Sequence, residues 1–171
     1  MTLTVTAVVG NPKPGSRTRA MAEYVAHAVA DGDGEVTVVE LSELSTRLFD
    51  WSDEAVKSAV ATVLASDVAV ISTPTYKASY TGLLKSFLDR FGAGDLAGTV
   101  VIPLMVAAAP HHAMAVESQL KPVLAELGAV MPTPALALLD SQVDQLGEVL
   151  ADWTAVSAPL VAAVCQALAA P

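Results

Sequence analysis

The chain of 171 residues has a single cysteine, Cys165, and only nine Lys and Arg against eighteen Asp and Glu. One thiol excludes an internal disulfide and a cysteine-cluster metal site. Its neighbours are Ala and Val in a helical pattern, which predicts a buried, inert side chain. A net charge of −9 lacks the extended basic face that phosphate backbones require, which excludes nucleic acid and an anionic membrane as main partners. Charged residues make up 16% against 53% apolar, a balance that excludes disorder and favours a tightly buried core in one domain, residues 1–171. No charged segment followed by an apolar one opens the chain, so no signal peptide is expected. The longest apolar run, Val100 to Pro110, is broken by Pro103 and falls short of the ~20 residues a bilayer crossing needs. These absences together lead to the expectation of a cytoplasmic protein.

What is present is an alternation of strand-like and helical runs. Thr2 to Val9 alternates as a strand, and Met21, Tyr24, Val25, Ala28 and Val29 then carry a helical stripe. A turn at Asp31-Gly32-Asp33-Gly34 leads into a second strand, Val36 to Leu41. Ser52 reads as the N-cap of a helix with Asp53 and Glu54 in its first turn and Val56, Val60, Val63 and Leu64 inward. Val68 to Ser72 is a strand covered on both faces, followed by the helical period Leu83, Leu84, Phe87, Leu88, Phe91. Val100 to Ala107 and Ala135 to Leu139 complete five strands. Helices lie between and after them, with Val116, Leu120, Val123, Leu124 and Leu127 in one and Leu150, Trp153, Val156, Leu160, Val161, Val164 and Leu168 in the last. Pro122 and Pro159 are expected to kink or split these two helices. Met105 and Met114 are expected in the core. Repeated β-α alternation implies a parallel sheet with right-handed crossovers, and ligands bind beyond its carboxyl edge. That edge brings together loops 10–18, 73–80 and 107–112.

The first loop, Gly10-Asn11-Pro12-Lys13-Pro14-Gly15-Ser16-Arg17-Thr18-Arg19, runs from strand to helix without an acidic residue. Backbone N–H groups and the positive end of a helix dipole meet there, which suits an anion. Gly10 and Gly15 have Walker A spacing, but Ser16 and Arg17 stand where Lys and Ser/Thr are needed, and G-x-G-x-x-G is absent. What remains fits one terminal phosphate, with Ser16, Thr18 and backbone donating and Arg17 pairing with the dianion. The second loop, Thr73 to Gly82, mixes proline, small residues, Tyr76 and Tyr80, a composition that makes a rigid wall for a flat heterocycle. Adjacent His111 and His112 rarely converge on one metal ion. One of them, ending the third loop, is expected instead at the edge of the bound ring.

Gly10 to Thr18 resembles the phosphate loop of NADPH-dependent FMN reductases of the flavodoxin-like fold. Pro74-Thr75-Tyr76-Lys77-Ala78-Ser79-Tyr80-Thr81-Gly82-Leu83-Leu84-Lys85 is similar to the flavin-ring loop of the alkanesulfonate-utilisation branch, as are Leu120 to Leu124 and Asp140-Ser141-Gln142. The likeness is collinear from about residue 3 to residue 143. It implies a three-layer sandwich with a five-stranded parallel sheet of order 2-1-3-4-5 and helices on both faces. It also implies FMN and NADPH as cofactors, hydride transfer from NADPH to FMN, and delivery of reduced flavin to a partner monooxygenase. Asn11, Lys13, Ser16, Arg17 and Thr18 would hold the phosphate. Pro74, Thr75, Tyr76, Lys77, Ala78 and Ser79 would line the ring, with Ala108 beside it and His112 at the flavin edge or against the nicotinamide. The flavin does the chemistry, so no acid, base or nucleophile is expected of the protein. Lys77 and Lys85 would leave a positive entrance for NADPH.

The chain departs from that pattern at three places: Asn11 and Lys13 for serine and arginine, Ala107-Ala108 for a glycine pair, and Glu117-Ser118-Gln119 where the branch carries an extra tyrosine. The last departure keeps open a reductase with fixed FMN acting on quinones or other acceptors. An electron carrier and a non-redox module of the same fold are further readings. Asp140-Ser141-Gln142 receives no chemistry from its spacing. The resemblance implies a homodimer or homotetramer, for which Leu136, Leu138, Leu139 and the Ala/Val-rich last helix offer apolar surface.

Overall fold

The computed structural model describes residues 2–30 and 34–170. The turn expected at residues 31–34 falls largely outside them. Five strands, β1 (Thr4–Val9), β2 (Glu35–Glu40), β3 (Val68–Pro74), β4 (Val100–Ala107) and β5 (Leu136–Leu139), form one parallel sheet of order β2-β1-β3-β4-β5. Helices α1 (Arg17–Ala30), α2 (Glu54–Leu64), α3 (Gly82–Leu88), α4 (Lys121–Glu126), α5 (Leu146–Val149) and α6 (Ala151–Leu168) surround it.

Strand periodicity sorts the core into two layers. Val5, Ala7, Val68, Val70, Ile102 and Leu104 meet Met21, Val25 and Val29 of α1 and Val161 and Cys165 of α6. Val8, Ala69, Ile71, Val101 and Met105 meet Val56 and Val63 of α2, Leu84, Phe87 and Leu88 of α3, and Leu120 and Leu124. β3 and β4 are buried along their whole length, as expected for strands covered on both faces. Pro103 is tolerated in β4 for a local reason. The Val101 N–H donates to Val130 O, so residue 103 points the same way, and pairing with β5 begins only at Leu104. No ladder hydrogen bond is lost there.

The structure corrects several expectations. Asp53, not Ser52, caps α2, its side chain accepting from the Val56 N–H, while Ser52 bonds to Asp50. Leu64 and Met114 are exposed. Leu64 ends α2 beyond the stripe of Val56 and Val63, and Met114 precedes the turn where Val116 enters the core. Pro122 splits the fourth helical region as expected: Val116–Leu120 is a π-helical segment and α4 starts immediately after it, with the proline in its first turn, where its missing N–H is harmless. Pro159, in contrast, lies within an unbroken α6. It stands on the outer side, where Ala155, four residues earlier, is exposed to water.

Leu136 and Leu138 belong to the core and offer no outer surface. The apolar surface is on α6, whose buried stripe is only Ser157, Val161 and Cys165. Val156, Leu160 and Leu168 face outward, Val156 with 69% of its surface exposed. By length and mean hydropathy (1.2) α6 could cross a membrane. Here it is an outer layer of the sandwich, packed on α1 and β4.

Candidate active site

Every strand of a parallel sheet ends at the same edge, so the loops after β1, β3, β4 and β5 converge there. Between them lies a cavity of about 450 Å³ lined by Asn11, Lys13, Gly15, Ser16, Arg17, Thr18, Pro74, Thr75, Tyr76, Val106, Ala107, Ala108 and Asp140. Nine of the thirteen expected site residues are in this wall.

The first loop is fastened from beneath. Gly10 donates its N–H to Ser72 O at 2.8 Å, continuing the sheet, and α3 packs directly on it. A Cβ at position 10 would stand 2.7 Å from the Leu84 Cβ, so the close approach of α3 requires glycine. Asn11 is buried; its Oδ1 accepts from the Lys13 N–H at 2.9 Å and its Nδ2 donates to Thr18 Oγ1 at 3.0 Å. Asparagine thus closes an Asx turn and anchors the helix start in one side chain. Ser16 caps α1, its Oγ accepting from the Arg19 N–H at 3.3 Å. The Arg17 and Thr18 N–H groups open α1 toward the cavity wall with no intrahelical acceptor, an anion site by construction.

Charge around the loop is divided unequally. Arg19 does not serve the cavity: it donates to Glu40 Oε2 at 2.6 Å and Glu23 Oε1 at 3.1 Å. Hydrogen bonds to Glu23 and then to Glu40 raise its pKa above the ordinary guanidinium value. Glu40 also accepts from the Gly15 N–H at 2.8 Å with a side chain only 4% exposed, so the carboxylate at the end of β2 braces the loop. Sequence reading missed it; a buried acid ending a strand that reads as Val-Val-Glu was the only signal. Lys13 is exposed and has no carboxylate partner among the described residues. Arg17 is paired, its Nη1 donating to Asp140 Oδ2 at 3.1 Å.

The second loop is fastened only at its ends. The Thr75 N–H donates to Val106 O at 2.7 Å. Thr81 caps α3, accepting from the Leu84 N–H, and its Oγ1 donates to Gly10 O at 2.6 Å, so it ties the two loops together. Between them Tyr76 and Ser79 exchange both backbone hydrogen bonds around Lys77 and Ala78, at φ 51° and 62°. Positive φ at both central positions is the signature of a two-residue turn that normally takes Asn or Gly. Lys77 and Ala78 accept that strain, and Tyr76 is left 51% exposed beside the cavity. Thr75 Oγ1, on the cavity wall, is buried without a hydrogen-bond partner, an orphan a ligand can satisfy.

Four expected residues lie outside the cavity wall. Lys77, Ala78 and Ser79 form the turn that supports Tyr76. His112, on the short helical turn Pro110–His112, lines a smaller neighbouring pocket with Met105 and Leu139 that shares Thr75 and Ala107 with the cavity. Lys85 is not part of the entrance either; it pairs with Asp89 one helical turn away, and that hydrogen bond raises its pKa. The alanines at 107 and 108 need no glycine: the only non-glycine residues with positive φ among those described are Lys77 and Ala78. No group of three His, Cys, Asp or Glu side chains able to hold a metal ion occurs among the described residues.

An orphaned hydroxyl, a helix N-terminus and two cations beside an aromatic wall fit a flavin mononucleotide, phosphate at one end and planar ring at the other. Comparison with known proteins agrees. Residues 3–144 match the family described as NADPH-dependent FMN reductase. The FMN reductase (NADPH) of Escherichia coli K12 is 33% identical over 142 residues, 81% of this chain and 74% of that protein. The NADH-dependent FMN reductase SfnE of Pseudomonas putida is 29% identical over 168 residues, 95% and 87% respectively. The solved apo structure of an NADH:FMN oxidoreductase superposes with a TM-score of 0.84 at 30% identity, covering 99% of this chain and 92% of that one. The chain therefore belongs to the NADPH-dependent FMN reductase family of flavodoxin-like oxidoreductases.

Proposed function

We propose that the chain binds FMN as an exchangeable substrate, reduces it with NADPH, and releases reduced flavin to a partner monooxygenase. The chemistry FMN supplies when bound is acceptance of a hydride at N5. The protein's own share is binding, orientation and access. Lys13, Ser16, Arg17, Thr18 and the first N–H groups of α1 hold the phosphate. Pro74, Thr75 and Tyr76 align the ring, and Ala108 leaves room over the strand ends. Lys77, exposed at the loop tip, supplies the positive charge for the extra phosphate of NADPH.

The observation that carries this reading is the solvent exposure of both phosphate cations and of Tyr76. A flavin held by such groups leaves readily, unlike one enclosed by buried partners. The outward apolar face of α6 supports assembly as a homodimer or homotetramer. Dialysed protein should be colourless, and the NADPH absorbance band should decay only after FMN is added. A yellow dialysed protein that oxidises NADPH with a quinone and no added FMN would instead establish a fixed flavin.

A further inference from the structure

Asp140 opens the one motif, Asp140-Ser141-Gln142, that flavin binding leaves without a role, and its carboxylate lies in the cavity wall. It directly follows β5, and the turn that holds it is built: the Leu139 N–H donates to Gln142 Oε1 at 2.7 Å, and α1 packs against residues 140–145. Its Oδ2 accepts from Arg17 Nη1 at 3.1 Å, joining residues 123 apart in sequence. The pair is open to water, with 63% of the Arg17 side chain and 40% of the Asp140 side chain exposed.

Each cation of the first loop has a different commitment. Arg19 is turned away to Glu40 and Glu23, Lys13 has no carboxylate partner among the described residues, and Arg17 has Asp140. A phosphate dianion on the N-terminus of α1 would meet Arg17 from one side while Asp140 holds it from the other. Two anions on one guanidinium weaken each other's hold, and the carboxylate adds like-charge repulsion at short range. We propose that Asp140 competes with the FMN phosphate for Arg17, and so holds FMN affinity at a level that lets the flavin exchange. The inference rests on the reading of FMN as a substrate that leaves. A brace that merely aimed Arg17 at the phosphate would act with the opposite sign, so the two roles separate cleanly.

The test titrates FMN and riboflavin, which lacks the phosphate, into the full chain and its variants, following quenching of flavin fluorescence. Asp140→Asn should tighten FMN by roughly fivefold, the upper range of an exposed ion pair, and leave riboflavin unchanged. The gain should shrink at high salt and vanish in an Arg17→Ala background. Several results overturn the proposal: FMN affinity unchanged or weakened by Asp140→Asn, an equal gain for riboflavin, or a gain that persists without Arg17. If Asp140→Asn unfolds the chain, Asp140→Ser replaces it, judged by the same FMN-to-riboflavin ratio. Failure of the unaltered protein to bind FMN would overturn the functional reading and this inference with it; FMN binding that ignores Asp140 overturns the inference alone.

Discussion

The loop after β1 and the loop after β3 share one cavity but are held in opposite ways. Asn11, Ser16, Thr18 and Glu40 fasten the first from below, all of them buried, and Gly10 is locked under α3. The second is fastened at Thr75 and Thr81 only, and between them a strained two-residue turn holds an exposed tyrosine. The difference divides the labour. A terminal phosphate has one shape, so a rigid cradle binds it without paying for reorganisation. A ring that must also admit a nicotinamide needs a wall that stands clear of solid packing.

The comparison breaks first at Gly10. Gly10→Ala forces a methyl to within 2.7 Å of the Leu84 Cβ and 3.0 Å of Ser72 O, which should destabilise by about 3 kcal/mol. For a chain of this size that lowers the Tm by roughly 6–12 °C, readable by calorimetry. Thr81→Val comes next. It removes the cap of α3 and the bond to Gly10 O while keeping the shape, and should cost about 2 kcal/mol in urea unfolding. The first loop should loosen with it, because Thr81 is the link between the loops.

Ala78→Gly tests the other side of the comparison and has the opposite sign. Relief of the positive φ should stabilise by about 1 kcal/mol, raising the Tm by a few degrees. A fall in Tm would mean that the turn carries no strain.

A control remote from both loops has an effect that is small near neutral pH and grows only in alkali. Burial pushes the Cys165 thiol up to about 11. In the unfolded chain the thiol ionises at ordinary values near 8.5, whereas in the folded chain it stays protonated. Stability is therefore lost as pH rises from the unfolded value toward 11, since only the unfolded state releases the proton there. Urea midpoints measured across that window should fall more steeply for the unaltered chain than for Cys165→Ala. The same thiol should resist alkylation at neutral pH.

Sequence legibility followed the same division. The alternation of strands and helices, the two-sided burial of β3 and the edge on which the cavity lies follow from period and connection rules, whereas the strand order came with the family resemblance. The phosphate loop was legible as a glycine-bearing, acid-free turn between a strand and a helix, because that pattern is local; the cap at Ser16 and the Asx turn at Asn11 came only with the structure. What escaped depends on partners far along the chain. Glu40 reaches Gly15 from β2, Asp140 reaches Arg17 across the cavity, and Asp89 neutralises Lys85, which the charge pattern alone had left free at the entrance. The short helical turn after β4 that seats His112 in the pocket beside the cavity was not read in advance. The strain at Lys77 and Ala78 was also invisible, since neither residue favours positive φ.

We infer that this cavity grips FMN by its phosphate through the first loop. The most direct test compares FMN with riboflavin binding to the unaltered chain and to the Lys13→Ala/Arg17→Ala double variant. Both cations are exposed, so each lost charge-assisted contact is worth about 1.5 kcal/mol, the low end of its range, and the double variant should bind FMN on the order of a hundredfold more weakly and riboflavin as before. Equal weakening of both flavins, or none for FMN, would contradict the account.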